Sequence, residues 1–173
     1  MLLLAGYAQA VARFESAAKG RDATTAFLPL FESLSWAVAV DERIAAHWAP
    51  EGKPLEWAWR DRVEGADVMA GVRFARNRVH HQWSDALRLD DRGFVLPVTL
   101  PTGFFEWCWR DLADLPAGKR GDPNGELVYR DRVAGSPARL TLTRLRDAFA
   151  FVGSLLEPHA LPERVERGED ASG

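Results

Sequence analysis

The segment RFARNRVHHQW, residues 73–83, concentrates side chains that could act on a phosphate ester. An arginine can bind phosphate oxygens through two parallel hydrogen bonds, and a histidine can take up and release a proton near neutral pH. Metal-independent RNA cleavage requires little more, because the nucleophile is the substrate's own 2′-hydroxyl and a guanidinium can stabilise the charge that grows on the phosphate. The expected product of this chemistry carries a 2′,3′-cyclic phosphate.

Helical spacing predicts that these side chains form two rows. At about 100° per residue, Arg76 and His80 lie one turn apart on one face, with Arg73 just before them. The neighbouring row holds Asn77, His81 and Ser84. Residues 68–84 contain no Asp or Glu, so this part of an acidic protein would bind anions if its arginines face one way.

The stretch RNRVHHQW resembles the motif of HEPN domains, in which an Arg and a polar residue precede a His, with four to six residues between the Arg and the His. Arg76, Asn77 and His81 match these positions, and Trp83 stands where many members have a tyrosine. The resemblance implies an all-helical, usually dimeric protein whose cleft pairs the motifs of two protomers. Many members are metal-independent endoribonucleases of bacterial toxin–antitoxin, abortive-infection or other defence systems, and others only bind RNA or partners.

On this resemblance we expect His81 to be the general acid/base and Arg76 to bind the scissile phosphate. Asn77 would orient the arginine or the neighbouring backbone. His80 competes for the histidine role, although only three residues separate it from Arg76. A structural role for Arg76 and His81, as partners of a helix terminus or a buried polar group, is the alternative.

The flanking charged residues have weaker assignments. Arg73 and Arg78 are either solvated or contacts to the RNA backbone, and the solvated interpretation is favoured. The resemblance also implies a supporting acid on an earlier helix. Asp41 is the first choice because it falls on an apolar stripe, and Glu32 is the second.

The motif spacing predicts a homodimer. On a straight helix, positions 76 and 81 point about 140° apart, so a shared site requires either a second protomer or a local break in the helix. We expect dimerisation through the helix that carries the motif, and an antitoxin is a further expected partner if the protein is a toxin.

Other catalytic chemistries find little support, and we expect no metal and no cofactor. A metal site built from His47, Asp85 and one of the adjacent histidines is disfavoured, because neighbouring helical residues point about 100° apart. The sequence has no Walker loop, dinucleotide fingerprint or serine-nucleophile motif. Cys108 is the single cysteine, is predicted to be packed on a strand, and fits a reducing compartment.

Periodicity predicts a mainly α fold, a HEPN-like bundle of four or more helices with a small aromatic-rich β insert before the last helix. The predicted helices cover about 2–19, 28 to just before Pro50, 66–87 and 136–156. Pro29 is expected in the first turn of the second helix, and Ser136 and Pro137 at the N-cap and first position of the last. Alternation in segments 55–60 and 104–110 predicts strands, 93–101 an edge strand or loop, and 115–125 a loop.

A short pattern of Glu, an aromatic residue and Arg-Asp recurs at 56–65, 106–111 and 126–135. The favoured interpretation is three half-buried strand edges whose Arg and Asp pair at the surface. The alternative is an aromatic platform, with guanidinium groups, that stacks on single-stranded nucleic acid.

Length, charge and composition limit the remaining possibilities. The 173 residues predict one domain, residues 1–160, with the β and loop insert at about 93–130 and a charged tail at 161–173. A net charge of −3 argues against a wholly basic nucleic-acid binder, so any RNA site must be local. The N-terminus is expected to form an amphipathic helix, and we expect a cytoplasmic protein without a membrane span.

Three functions follow in order of preference. The first is a metal-independent endoribonuclease of the toxin–antitoxin or phage-defence type. The second is a non-catalytic HEPN-like module that binds RNA or protein. The third is a structural helical protein that uses its aromatic insert as a protein-binding surface.

Overall fold

A computed structural model describes residues 2–47, 58–82, 86–90, 105–117 and 121–156. The helices of these parts are α1 (Leu2–Ala17), α2 (Ala23–His47), α3 (Trp59–Arg62), α4 (Met69–Gln82), α5 (Pro123–Val128) and α6 (Ala138–Leu156). The strands are β1 (Leu87–Asp90) and β2 (Glu106–Trp109). A 3₁₀ turn at Ala66–Val68 leads into α4, another lies at Leu112–Asp114, and a π-helical turn at Tyr129–Val133 follows α5. The predicted mainly α fold with a small β element is confirmed.

The core forms where the apolar faces of the long helices meet. Helix α1 packs against α2 and α6, and α2 packs against α4. The apolar face of α6 is buried at Leu142, Leu145, Phe149 and Val152. Tyr7 of α1 is also buried and donates a hydrogen bond to the Leu142 carbonyl at 2.8 Å. Since apolar burial contributes roughly 25 cal/mol per Å², these faces dominate the stability of the fold.

Helix α2 begins at Ala23, so the predicted start near Leu28 is wrong. The side chain of Asp22 accepts hydrogen bonds from the backbone N–H groups of Thr24 (3.0 Å) and Thr25 (3.3 Å), and from the Thr25 hydroxyl. These bonds cap the helix and hold the pKa of the Asp22 carboxyl below its ordinary value. Pro29 consequently lies inside the helix rather than in its first turn.

Helix α2 also bears on the expectation that the chain lacks a membrane span. Residues Ala23–Ala46 are long and apolar enough to cross a membrane by length and composition. Core helices of globular proteins meet the same criterion. Here α2 packs against α1, α4 and α6 and carries the buried, ion-paired carboxylate of Asp41.

Helix α4 ends before the small sheet, so the predicted helix to Leu87 is too long. Leu87 begins β1, which pairs antiparallel with β2 so that Leu87 faces Trp109 and Leu89 faces Trp107. The strand predicted within 104–110 is confirmed by β2. The apolar residues at 86 and 87 are compatible with either a helix face or a strand. Pairing with the aromatic strand β2 favours the strand.

Two of the three Glu-aromatic-Arg-Asp segments are not strands. In the described part of the first, Trp59 begins helix α3, and the third lies in α5 and the π-helical turn. The stacking platform is also wrong for Trp59, Trp109 and Tyr129, because each is 0% exposed. These rings fill the core and present no face to a nucleobase.

The boundaries near α5 and α6 need two further corrections. Residues 123–125 are helical rather than loop, because the Asp122 side chain accepts from the Gly125 N–H at 2.9 Å and Pro123 suits the first position. Ser136 does not cap α6, since its hydroxyl donates to the Val133 carbonyl at 2.6 Å. The predictions for 93–101 and for the tail 161–173 lie outside the described residues.

Candidate functional site

Helix α4 is fixed in the fold by its buried face, which positions the predicted motif. Val72, Ala75 and Val79 are buried, and the Phe74 ring packs 5.4 Å from that of Tyr129. Arg73, Arg76, Asn77 and Arg78 are partly exposed and His80 is exposed. The motif helix is therefore half embedded, with its polar residues beside the buried face.

Asp41 joins three helices through its carboxylate. It is 0% exposed on α2 and accepts from Trp59 Nε1 at 3.1 Å and from Arg60 Nε at 2.9 Å, with a second bond from Arg60 Nη2. Arg73 Nη1 of α4 lies 3.4 Å from the same carboxylate, and Arg73 Nη2 donates to Glu42 at 2.8 Å. Two carboxylates thus balance two guanidiniums, which suits the buried position of Asp41 because an isolated buried charge is costly.

The two predicted supporting acids, Asp41 and Glu32, bind different arginines. Asp41 contacts Arg73 and Arg60 and so fixes the start of the motif helix instead of binding Arg76. Glu32 binds Arg13 of α1 at 2.6 and 3.2 Å, and both side chains are exposed. Neither acid is brought to Arg76.

Arg73 and Arg78, for which the solvated interpretation was favoured, are partly exposed and each has partners within the protein. Arg73 is ion-paired with Asp41 and Glu42. Arg78 Nη1 donates to the Pro116 carbonyl at 3.1 Å, and its guanidinium lies 4.5 Å from the centre of the Phe74 ring. Partners so distant in the chain give no local signal in the sequence.

Arg76 is in a different situation from its neighbours. Its Nη1 donates to the Asn77 side-chain oxygen at 3.3 Å. Its Nε is buried and has no hydrogen-bond partner among the residues that the structure describes, and none of the ion pairs that those residues form includes Arg76. A buried donor without an acceptor costs about 1–3 kcal/mol. Because Nε itself is buried, a ligand would have to reach the guanidinium through its terminal nitrogens.

His80 stacks on an aromatic side chain of α2. Its imidazole lies 5.5 Å from the Phe31 ring at an interplanar angle of 13°. Phe31 in turn stacks on Phe27 at 6.3 Å and 27°. Helix geometry places His80 one turn after Arg76, so an aromatic row ends beside the arginine.

The structure describes only part of the two remaining motif residues, His81 and Trp83. The backbone at His81 is helical, but its side chain and all of Trp83 lie outside the described residues. Helix α4 continues unbroken to Gln82. The local helical break that could have joined positions 76 and 81 within one protomer is therefore absent from this helix.

Sequence reasoning missed two residues at this site. Arg60, which binds Asp41 most closely, lay in a segment predicted to be a strand. Phe31 lies within the predicted second helix, but its contact with His80 was not predicted. An Asp on an apolar stripe requires a cation, and that requirement was the one available signal for Arg60.

The described residues offer little for other chemistry. No group of three or more His, Cys, Asp or Glu side chains within them could hold a metal ion. The side chains of His47 and Asp85, named for the disfavoured metal site, are outside the described part. Cys108 is buried at 5% exposure, as a packed residue should be.

Comparisons with protein-family models, curated proteins and solved structures found no significant match to this chain. Its function must be inferred from its own residues.

Proposed function

We propose that this chain is a metal-independent endoribonuclease of the toxin–antitoxin or phage-defence type that acts through its HEPN-like motif. The observation that carries the proposal is Arg76. It is partly exposed on a helix that carries no acidic residue, and none of the ion pairs formed among the described residues includes it. A phosphate would supply the counter-charge through its non-bridging oxygens.

In the proposed mechanism Arg76 binds non-bridging oxygens of the scissile phosphate. His81 accepts the proton of the 2′-hydroxyl, whose oxygen attacks phosphorus while the bond to the 5′-oxygen breaks. The proton is returned to that leaving oxygen, so the products carry a 2′,3′-cyclic phosphate and a 5′-hydroxyl. Asn77 holds the guanidinium, and His80 is the competing candidate for proton transfer.

The proposed active unit is a homodimer. Helix α4 is continuous from Met69 to Gln82, and positions 76 and 81 lie about 140° apart around a straight helix. A second copy related by a twofold axis would bring Arg76 of one protomer to His81 of the other.

The test is RNA digestion in the presence of EDTA, with the wild type compared to His81→Ala and Arg76→Ala. Arg139→Ala is a matched control, because Arg139 is an exposed arginine on α6, away from α4. The proposal predicts loss of cleavage in the two motif variants and full activity in the control. Cleavage that survives both motif substitutions, or that requires a metal, would contradict it.

The second candidate is a non-catalytic module that binds RNA or protein. The stacking of His80 on Phe31 favours it, because a stacked imidazole suits ring contacts as well as proton transfer. This alternative predicts salt-dependent RNA binding without cleavage.

A further inference from the structure

We propose that the exposed face of helix α6 binds the same face of a second copy of this chain, with the two helices antiparallel. In this contact Leu140 packs on the partner's Phe151, and Arg144 pairs with the partner's Asp147. The surface is separate from the motif on α4, so the inference goes beyond the proposed nuclease and does not depend on it.

Four exposed side chains form one stripe along α6. They are Leu140, Arg144, Asp147 and Phe151. Steps of four, three and four residues separate them, so they lie within about 60° of one another around the helix. Leu140 is 42% exposed and Phe151 is 52% exposed, and both charged residues are exposed as well. Steps of three and four residues are those by which two helices pack along a shared interface.

The order of the four residues is complementary to itself when it is read in reverse. A twofold axis that passes midway between Arg144 and Asp147 brings each of them to the level of the other in the second copy. Leu140 and Phe151 are equally far from the same midpoint, so they meet in the same register. Two charged layers then lie at the centre of the contact, with an apolar layer at each end.

The charges also exclude the parallel arrangement. If the two helices ran in the same direction and in register, Arg144 would face its own copy and Asp147 would face its own copy. Like charges placed opposite one another repel, whereas the antiparallel arrangement makes two ion pairs. Charged or polar residues at the centre of a helix pair fix its orientation and register in this way.

Both central charges can bind a partner. Among the described residues, Arg144 takes part in none of the ion pairs, although it lines a cavity with Asp61 and Glu64. Asp147 lies 3.5 Å from its neighbour Arg146 and is still 71% exposed. Exposed pairs of this kind contribute little stability, so Asp147 can exchange its partner at small cost.

The size of the contact predicts a weak association. A single helix face from each protomer covers less than the roughly 1,200–2,000 Å² that stable complexes bury. The contact is therefore expected to depend on protein concentration. If α4 also forms a twofold contact, the α6 contact joins those dimers into a larger assembly, and otherwise it forms the dimer by itself.

The experiment is sedimentation equilibrium of the full-length chain over a range of concentrations. Arg144→Glu and Asp147→Arg are measured separately and as an equimolar mixture. Each variant alone places like charges opposite one another, whereas a pair made of one copy of each restores both opposite-charge contacts. Arg139→Glu is the matched control, because Arg139 is an exposed arginine of α6 that lies about 100° around the helix from Leu140.

We expect each single variant to weaken the association at least about tenfold, and the mixture to recover to within about threefold of the wild type. Arg139→Glu should associate as the wild type does, and circular dichroism confirms that all variants are folded. A wild type that stays monomeric would overturn the proposal and leave the surface to a different protein. Unchanged association in folded Arg144→Glu, or a mixture that does not recover, would also overturn it. None of these substitutions lies on α4, so the result is independent of whether the chain cleaves RNA.

Discussion

Arg60 donates two hydrogen bonds to the fully buried carboxylate of Asp41, from a helix that begins eighteen residues after it in the chain. Because Arg73 contacts the same carboxylate, this pair fixes α3 and the motif helix α4 against α2. We expect Asp41→Asn to lower the free energy of unfolding by about 3 kcal/mol, since it leaves the guanidinium of Arg60, which is 14% exposed, without its counter-charge.

The measurement for Asp41 is urea unfolding followed by tryptophan fluorescence. Glu32→Gln is the matched control, because the Glu32–Arg13 pair is exposed and should contribute no more than about 1 kcal/mol. Equal losses in the two variants would refute the role given to the buried cluster.

The two tyrosines of the chain should resist ionisation. Burial raises the pKa of both Tyr7 and Tyr129, and each hydroxyl donates to a backbone carbonyl, of Leu142 and Arg110 respectively. Since the folded-state pKa values are raised, the stabilisation is complete below about pH 10, the ordinary tyrosine value, and is lost as pH rises above it. Tyrosinate absorbance should therefore appear only as the protein unfolds.

A spectrophotometric titration, with tryptophan fluorescence as the measure of folding, tests this prediction. Tyr7→Phe should cost about 1 kcal/mol at neutral pH and make stability less sensitive to alkali. Tyrosinate formation near pH 10 in a protein that remains folded would show that the hydroxyls are accessible.

Gly71 lies where α4 packs tightly against the π-helical turn. A Cβ at this position would lie 2.9 Å from the Tyr129 backbone nitrogen and 2.9 Å from Val133 Cγ2. Because backbone cannot yield easily, Gly71→Ala should destabilise by about 1–3 kcal/mol. Gly121→Ala is the control, because an added Cβ there would meet no atom within 4 Å and stability should change by less than about 0.5 kcal/mol. Thermal unfolding of both variants measures the two changes. An unchanged midpoint in Gly71→Ala would contradict this packing.

The composite dimer site predicts complementation between inactive variants. If Arg76 of one protomer acts with His81 of the other, a mixed dimer of Arg76→Ala and His81→Ala contains one intact site. After equimolar mixing and subunit exchange, about a quarter of the wild-type sites should be restored, as random pairing across a twofold axis requires. Cleavage rates before and after mixing measure this. No recovery in a mixture shown to exchange subunits would mean that the site is not shared.

The sequence predicted the elements whose stabilising contacts follow a simple period. The apolar stripes of α1 and α6 were sufficient to place those helices, and strict alternation placed β2. The start of α2 was misjudged because Pro29 is a strong local signal, whereas the cap is made by Asp22 with Thr24 and Thr25. Leu87 was assigned to a helix because its strand partner, Trp109, is remote in the chain.

In the candidate site, too, the sequence identified one residue and missed the contacts made between helices. Asp41 was identified because an acid on an apolar stripe needs a partner, but its partner Arg60 lay in a segment whose alternation indicated a strand. The stacking of His80 on Phe31 depends on how α2 and α4 cross. Such contacts between helices are set by packing and leave no spacing pattern within either helix.

The nature of the RNA ends is the most direct test of the central claim, that Arg76 and His81 cleave RNA without a metal. Purified protein is incubated with single-stranded RNA in EDTA, and the fragments are analysed by mass spectrometry. The predicted result is 2′,3′-cyclic phosphate and 5′-hydroxyl ends with the wild type, and no fragments with folded His81→Ala or Arg76→Ala. Fragments with 5′-phosphate ends, or cyclic phosphate ends that persist in both variants, would contradict the account.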